Sequence, residues 1–228
     1  MTSAGPGTPA QPMTSAAPGT PAQPMTSAAP GTPAQPTTSA GPGTPAQAMT
    51  AARRPLLVLV GPPSSGKTTV GTALSGRLGV PFRDTDADVE AGTGQRVADL
   101  FVDLGEPHFR ALEEQAVAVA LAEHDGILAL GGGAVLSAVT RERLTAYTRT
   151  GGTVVWLDVD LVSAAERVGL GRSRPVLGLN PRATLRTLLA ARAPLYAEVA
   201  TVTVTTGGRA PDEVVDEVAA AVPVRAAP

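Results

Sequence analysis

The residues best suited to chemistry stand together in one octapeptide, Gly61-Pro-Pro-Ser-Ser-Gly-Lys-Thr68. It has the form G-x-x-x-x-G-K-[ST], in which a glycine-bearing turn points backbone N–H groups inward at an anion. Gly61 and Gly66 let the chain wrap. Lys67 can reach the outer phosphates of a nucleoside triphosphate, and the Thr68 hydroxyl can ligate Mg²⁺. Lysine usage points to the same place. The chain has 17 arginines and a single lysine, and that lysine is Lys67.

Other candidates follow along the chain. In Arg83-Asp-Thr-Asp86, alternation at a strand end puts Asp84 and Asp86 on one side, facing the phosphate site. A metal ion needs a second oxygen source opposite Thr68, and an acceptor hydroxyl needs a carboxylate to orient it and take its proton. Taken alone, the tripeptide equally suits an Asx turn or a helix cap at Asp86. Gly105-Glu-Pro-His-Phe-Arg110 reads as a helix start at Glu106 and Pro107. Arg110 and Glu113 share a helix face, which by itself signifies only a surface ion pair. The run Gly131-Gly-Gly133 offers bare backbone N–H groups, or is simply a flexible turn. Gly169–Pro175 carries glycines and arginines, a composition suited to a mobile lid or to an ordinary exposed loop. Arg192 lies near a helix end in Arg192-Ala-Pro-Leu-Tyr196.

These groups need a scaffold that brings them to one end. Leu56–Val60, Ile127–Leu130 and Thr153–Val159 are continuous apolar runs of the kind buried on both faces of a sheet. Thr201–Thr205 reads as a weaker last strand and Pro81–Asp84 as a short one. Helical patterns over Thr68–Leu78, Phe109–Ala122, Arg141–Arg149, Ser163–Val168, Arg182–Arg192 and Asp212–Val222 alternate with them. Such alternation predicts right-handed βαβ units, a parallel sheet and helices on both faces. Ligands in these sheets bind beyond the carboxyl ends of the strands, where every motif above falls.

Composition divides the chain. Residues 1–48 are four copies of a twelve-residue unit beginning MTSAGPGTPAQP, and no charged residue precedes Arg53. A segment with nothing apolar to bury cannot offset its ordering entropy, so residues 1–52 are expected to be a disordered tail and 53–228 the folded domain. The net charge is −2, and no basic run marks a nucleic-acid footprint. There is no cysteine, which excludes disulfides and thiolate chemistry. The longest apolar run is far too short to span a bilayer, and no signal peptide is evident, so a cytoplasmic protein is expected.

In this order, GPPSSGKT, DTD, GEPHFR, LGGGAV, RSRPVL and RAPLY resemble the shikimate kinase family, over most of residues 56–211. The resemblance implies a nucleoside-monophosphate-kinase-like P-loop fold: three α/β/α layers, a five-stranded parallel sheet and a mobile lid. It implies transfer of the ATP γ-phosphate to the 3-hydroxyl of shikimate, by a monomer using Mg²⁺. By that match Asp86 is base and substrate ligand, Arg110 and Arg192 clamp the substrate carboxylate, and Gly131, Gly132 and Gly133 line the substrate. Lys67 and Arg174 serve catalysis, the latter from the lid. ATP falls to Ser64, Ser65, Gly66, Lys67, Thr68, Thr69, Arg167, Arg174, Arg209 and Pro211, and Mg²⁺ to Thr68 and Asp84. Ser64 departs from the pattern, standing where the family usually has glycine. The nearest alternative is a gluconate or nucleoside-monophosphate kinase of the same fold.

The repeats carry eleven prolines and neither charge nor aromatic residue, so they have no means of contacting ATP. They precede the first strand, whose amino end lies away from the ligand end of a parallel sheet. Deleting Met1–Ala48 should leave kcat and both KM values within about twofold, a barrier change of roughly 0.4 kcal/mol. A tenfold loss in steady-state kinetics would show that the tail takes part.

Overall fold

The three apolar runs and the two weaker segments become five parallel strands. The computed structural model describes residues 54–169 and 180–222. The repeats lie outside them, as do Arg174 and all of the expected lid except Gly169. The strands are β1 (Leu57–Val60), β2 (Phe82–Asp84), β3 (Ile127–Ala129), β4 (Val154–Asp158) and β5 (Val202–Thr205). Each falls within one residue of its expected bounds. The helices are α1 (Lys67–Leu78), α2 (Thr85–Thr93), α3 (Val97–Asp103), α4 (Gly105–Glu123), α5 (Ala138–Arg149), α6 (Leu161–Arg167), α7 (Pro181–Val199) and α8 (Pro211–Ala220).

The sheet runs β2-β3-β1-β4-β5, with every pairing parallel. Leu57 and Leu59 of β1 pack with Val70 and Leu74 of α1 and Val214 and Val218 of α8. Val58 and Val60 point the other way, toward Val117 of α4, Leu144 of α5 and Tyr196 of α7. Both faces are covered, which is why the run has no polar alternation. The chain passes from β1 to β2 on one side and later from β3 to β4 on the other. That reversal opens a crevice at the carboxyl ends of β1, β3 and β4.

Three local expectations change. Helices α2 and α3 were not expected; with α4 they bury Val89, Leu100 and Phe109 as a small separate core. Asp86 consequently belongs to the first turn of α2, not to an alternating strand end. Arg192 is not near a helix end, because α7 runs on to Val199 through Pro194. A proline there removes the N–H that would bond one turn back. The helix continues because Tyr196 and Val199 beyond it are 1% and 3% exposed, locked into the core. No helix among the described residues is long and apolar enough to cross a membrane.

Gly126 sets the foot of β3. Its carbonyl accepts from Leu56 N–H at 2.8 Å, and the adjacent Ile127 N–H donates to the Pro81 carbonyl at 2.9 Å. A Cβ at 126 would overlap that Pro81 carbonyl, which is backbone and cannot rotate away. Gly126→Ala should therefore cost about 2–3 kcal/mol in urea unfolding. A loss below about 0.5 kcal/mol would show that β2 and β3 separate easily at this end.

Candidate active site

The phosphate cradle begins where β1 ends. Gly61 has φ 150°, and a Cβ on it would stand 2.6 Å from the Leu157 carbonyl. Gly66, at φ 97°, caps α1. That helix has no side-chain cap and no acid in its first turn, so its first N–H groups face the loop as an anion site. Lys67 folds back and donates to the carbonyls of Gly61 (2.9 Å) and Pro62 (3.0 Å). Burial lowers its ammonium to about 8, against the opposing pull of Asp86 and Asp84. A half-buried cation held among carbonyls is poised to meet phosphate oxygens.

The carboxylates come from the β2–α2 junction. Asp84 is the N-cap of α2, and its Oδ1 accepts from Asp86 N–H at 3.1 Å. Its Oδ2 accepts from Thr68 Oγ1 at 3.0 Å. The capping residue is thus Asp84 rather than Asp86. Asp86 is raised to about 6, first by burial and then by the charges of Asp84 and Glu113, with Lys67 opposing. The pair Thr68–Asp84 offers a hydroxyl and a carboxylate, both hard oxygen donors. Among the described residues no group of three or more His, Cys, Asp or Glu could hold a metal. This donor set fits an ion that keeps several waters and takes the rest of its shell from phosphates, as Mg²⁺ does.

The glycine run is a packed wall. A Cβ on Gly131 would run into both Asp86 and Glu113, and one on Gly133 would run into the Arg110 guanidinium. Gly131 N–H does not stand bare: it donates to the buried Thr85 Oγ1 at 2.9 Å. Gly132 contributes a carbonyl, which accepts from Arg192 Nη1 (3.0 Å) and from the Tyr196 hydroxyl (2.6 Å). Burial pushes that phenol up to about 12, so it stays a donor.

Arg110 is fixed on both edges. Its Nη1 donates to Glu113 at 2.5 Å, while Nε and Nη2 donate to Glu106 at 3.1 and 3.0 Å. Phe101 and Phe109 hold its guanidinium over their rings, 5.4 and 5.3 Å from the centroids. Glu113 is only 3% exposed, so the expected surface pair is half-buried. Burial raises the Glu113 carboxyl, and Arg110 chiefly opposes this.

Beside the cradle is a cavity of about 590 Å³. Ser64, Ser65, Gly66, Lys67, Thr68, Thr69, Arg167, Arg209 and Pro211 line it, which is every described member of the expected ATP set. Arg167 donates to Ser64 O and to Thr206, while Arg209 bonds the carbonyls of Thr205 and Glu213. Thr85, Tyr196 and Thr206 were not among the expected site residues, and Glu113 was expected only as a surface partner. Glu113 had a signal in its spacing from Arg110, and Thr85 and Tyr196 stood inside the DTD and RAPLY motifs without being singled out.

A family model described as shikimate kinase matches residues 63–223. Among curated proteins, the shikimate kinase of Salinispora arenicola is 59% identical over 166 residues, covering 73% of this chain and 96% of that protein. The shikimate kinase of Salinispora tropica is 57% identical, covering 74% and 98%. Among solved structures, shikimate kinase from Acinetobacter baumannii in complex with shikimate aligns with TM-score 0.64 and 35% identity, over 73% of this chain and 90% of that one.

The raised Asp86 carboxyl has a thermodynamic consequence. The folded state holds that proton to about pH 6, whereas the unfolded chain releases it near 3.8. Between these values the folded state binds more protons, so Asp86 takes stability away as pH rises through the window. Asp86→Asn should stabilise the fold at pH 7 by about 1–3 kcal/mol. The gain should shrink as urea titrations move from pH 7 to pH 5. A destabilised Asn variant at pH 7 would show that Asp86 is held mainly by favourable bonds.

Proposed function

The chain belongs to the shikimate kinase family and transfers the γ-phosphate of ATP to the 3-hydroxyl of shikimate, on the route to chorismate and aromatic amino acids; we propose the following roles for its residues. The observation that carries the assignment of roles is the placement of Asp86 between the cradle lysine and the Arg110–Glu113 pair, across Gly131.

Asp86 orients the 3-hydroxyl and accepts its proton. A carboxyl near 6 is ionised at neutral pH yet basic enough to take a proton in the transition state. Lys67 neutralises charge building on the transferred phosphoryl group and the β-phosphate. Thr68 and Asp84 hold Mg²⁺, which supplies charge neutralisation between the β- and γ-phosphates when bound. Arg110 and Arg192 recognise the shikimate carboxylate, a planar anion suited to guanidinium forks. Glu113 holds one edge of Arg110, so the incoming carboxylate replaces the exposed Glu106 on the other. A surface pair of that kind is worth about 0–1 kcal/mol, a small cost against a bidentate ligand. Gly131–Gly133 bring the backbone close to the substrate, Arg167, Arg209 and Pro211 flank the nucleotide base, and Arg174 acts from the lid. The working unit is a cytoplasmic monomer with no nucleic-acid or membrane partner: one chain supplies every residue named, and its net charge is −2.

A coupled assay of ADP release tests these roles. Release should require shikimate and Mg²⁺, with gluconate and AMP giving little. The profile of kcat/KM should be a bell, rising through about pH 6 as Asp86 ionises and falling through about pH 8 as Lys67 loses its proton. Lys67→Ala and Asp86→Asn should each lower turnover by about 10²–10⁴-fold, and Arg110→Ala should mainly raise the KM for shikimate. Near-normal turnover by Asp86→Asn would remove it as the base.

A further inference from the structure

Ser64 is the one non-glycine residue at positive φ among those described, at 63°. A side chain in that region crowds its own carbonyl oxygen, so the conformation is disfavoured unless its surroundings hold it. The Ser64 carbonyl accepts from Arg167 Nη1 at 3.1 Å. The same guanidinium donates to Thr206 Oγ1 (3.1 Å) and to the Thr206 carbonyl (2.6 Å). Arg167 is the last residue of α6 and lies at the surface, while Thr206 follows β5 and is 2% exposed. One guanidinium thus ties the strained loop residue to the far wall of the same cavity.

We propose that Arg167 is a positioning residue that holds Ser64 in its left-handed conformation and so keeps the phosphate cradle in its binding shape; this rests on reading the cavity as the ATP site. The peptide after Ser64 carries the Ser65 N–H, which donates to Pro62 O at 3.2 Å and closes the turn. Released from Arg167, Ser64 relaxes toward negative φ, and that peptide and its neighbours turn with it. A glycine at 64 would sit at 63° with little cost and would not need the restraint. Direct contact of Arg167 with the nucleotide base would be the same whichever residue stands at 64. The two roles therefore separate in a double-mutant cycle.

The four proteins are the unaltered chain, Ser64→Gly, Arg167→Gln and the double variant. Calorimetric titration with Mg·ADP gives Kd, and steady-state assays give the KM for ATP. Arg167→Gln should weaken Mg·ADP binding at least tenfold in the unaltered chain, and about fivefold less when introduced into the Ser64→Gly variant. Fivefold corresponds to about 1 kcal/mol of coupling. The KM for ATP should follow the same pattern, so that Ser64→Gly partly rescues Arg167→Gln. The same factor in both backgrounds would overturn the proposal and leave Arg167 acting on the nucleotide alone. Failure of the unaltered chain to bind Mg·ADP would remove the ATP reading of the cavity, and the proposal with it.

Discussion

Asp86 and Glu113 meet across Gly131, and the rest of the site is arranged so that a half-buried and a buried carboxyl can share that space. Burial raises both, and the Glu113 charge adds to the rise at Asp86. Like charges held close in a medium less polarisable than water repel strongly. The cations are divided accordingly. Arg110 is bonded to Glu113, Lys67 acts on Asp86 from the cradle, and Arg192 is anchored on the Gly132 carbonyl. Glu113 thus has a fixed partner, which leaves Asp86 for its proposed role in proton transfer.

Much of this was legible because the motifs are local. The cradle, its flanking strand and helix, and all five strands follow from runs of adjacent residues. The far wall of the adjoining cavity, at Arg167, Arg209 and Pro211, was named only through the family resemblance. What was not legible depends on contacts distant in sequence. Helices α2 and α3 are short, and α3 holds its place through Leu100 and Phe101 against Phe109 on α4. The passage of α7 through Pro194 defies the local rule that proline ends a helix, and only the burial of Tyr196 overrides it. Thr85 and Tyr196 stand inside the DTD and RAPLY motifs, but nothing local marks their side chains. They matter because Gly131 and Gly132, some 46 and 64 residues away in the chain, present an N–H and a carbonyl to them.

The substrate side and the nucleotide side differ in how they are built. Lys67, Thr68 and the cradle rest on β1, all four residues of which are at most 1% exposed. Arg110 instead rests on the small core of Val89, Leu100 and Phe109, with its guanidinium over the rings of Phe109 and the adjoining Phe101. A smaller apolar cluster gives a lower local opening free energy. The Arg110 side, proposed to bind the substrate carboxylate, is therefore the part better able to adjust to a ligand. The phosphate side is anchored in the centre of the sheet.

Three unfavourable local choices gather at the carboxyl ends of β1 and β2: a serine at positive φ, a lysine desolvated to about 8 and an aspartate raised to about 6. Each lowers stability, and none is needed by the fold, since a glycine, a neutral side chain and an amide would sit there at less cost. Three broken local rules gathered at one end of one sheet point to function there. Two of the three share a cause. Lys67 and Asp86 are both displaced first by burial, and each moves the other back toward its charged form. Their displacements are thus coupled, and a triphosphate entering the cradle acts on both at once. Under the proposed roles, its charge would favour the ammonium and add to the rise of Asp86, while Mg²⁺ at Thr68 and Asp84 would oppose that rise.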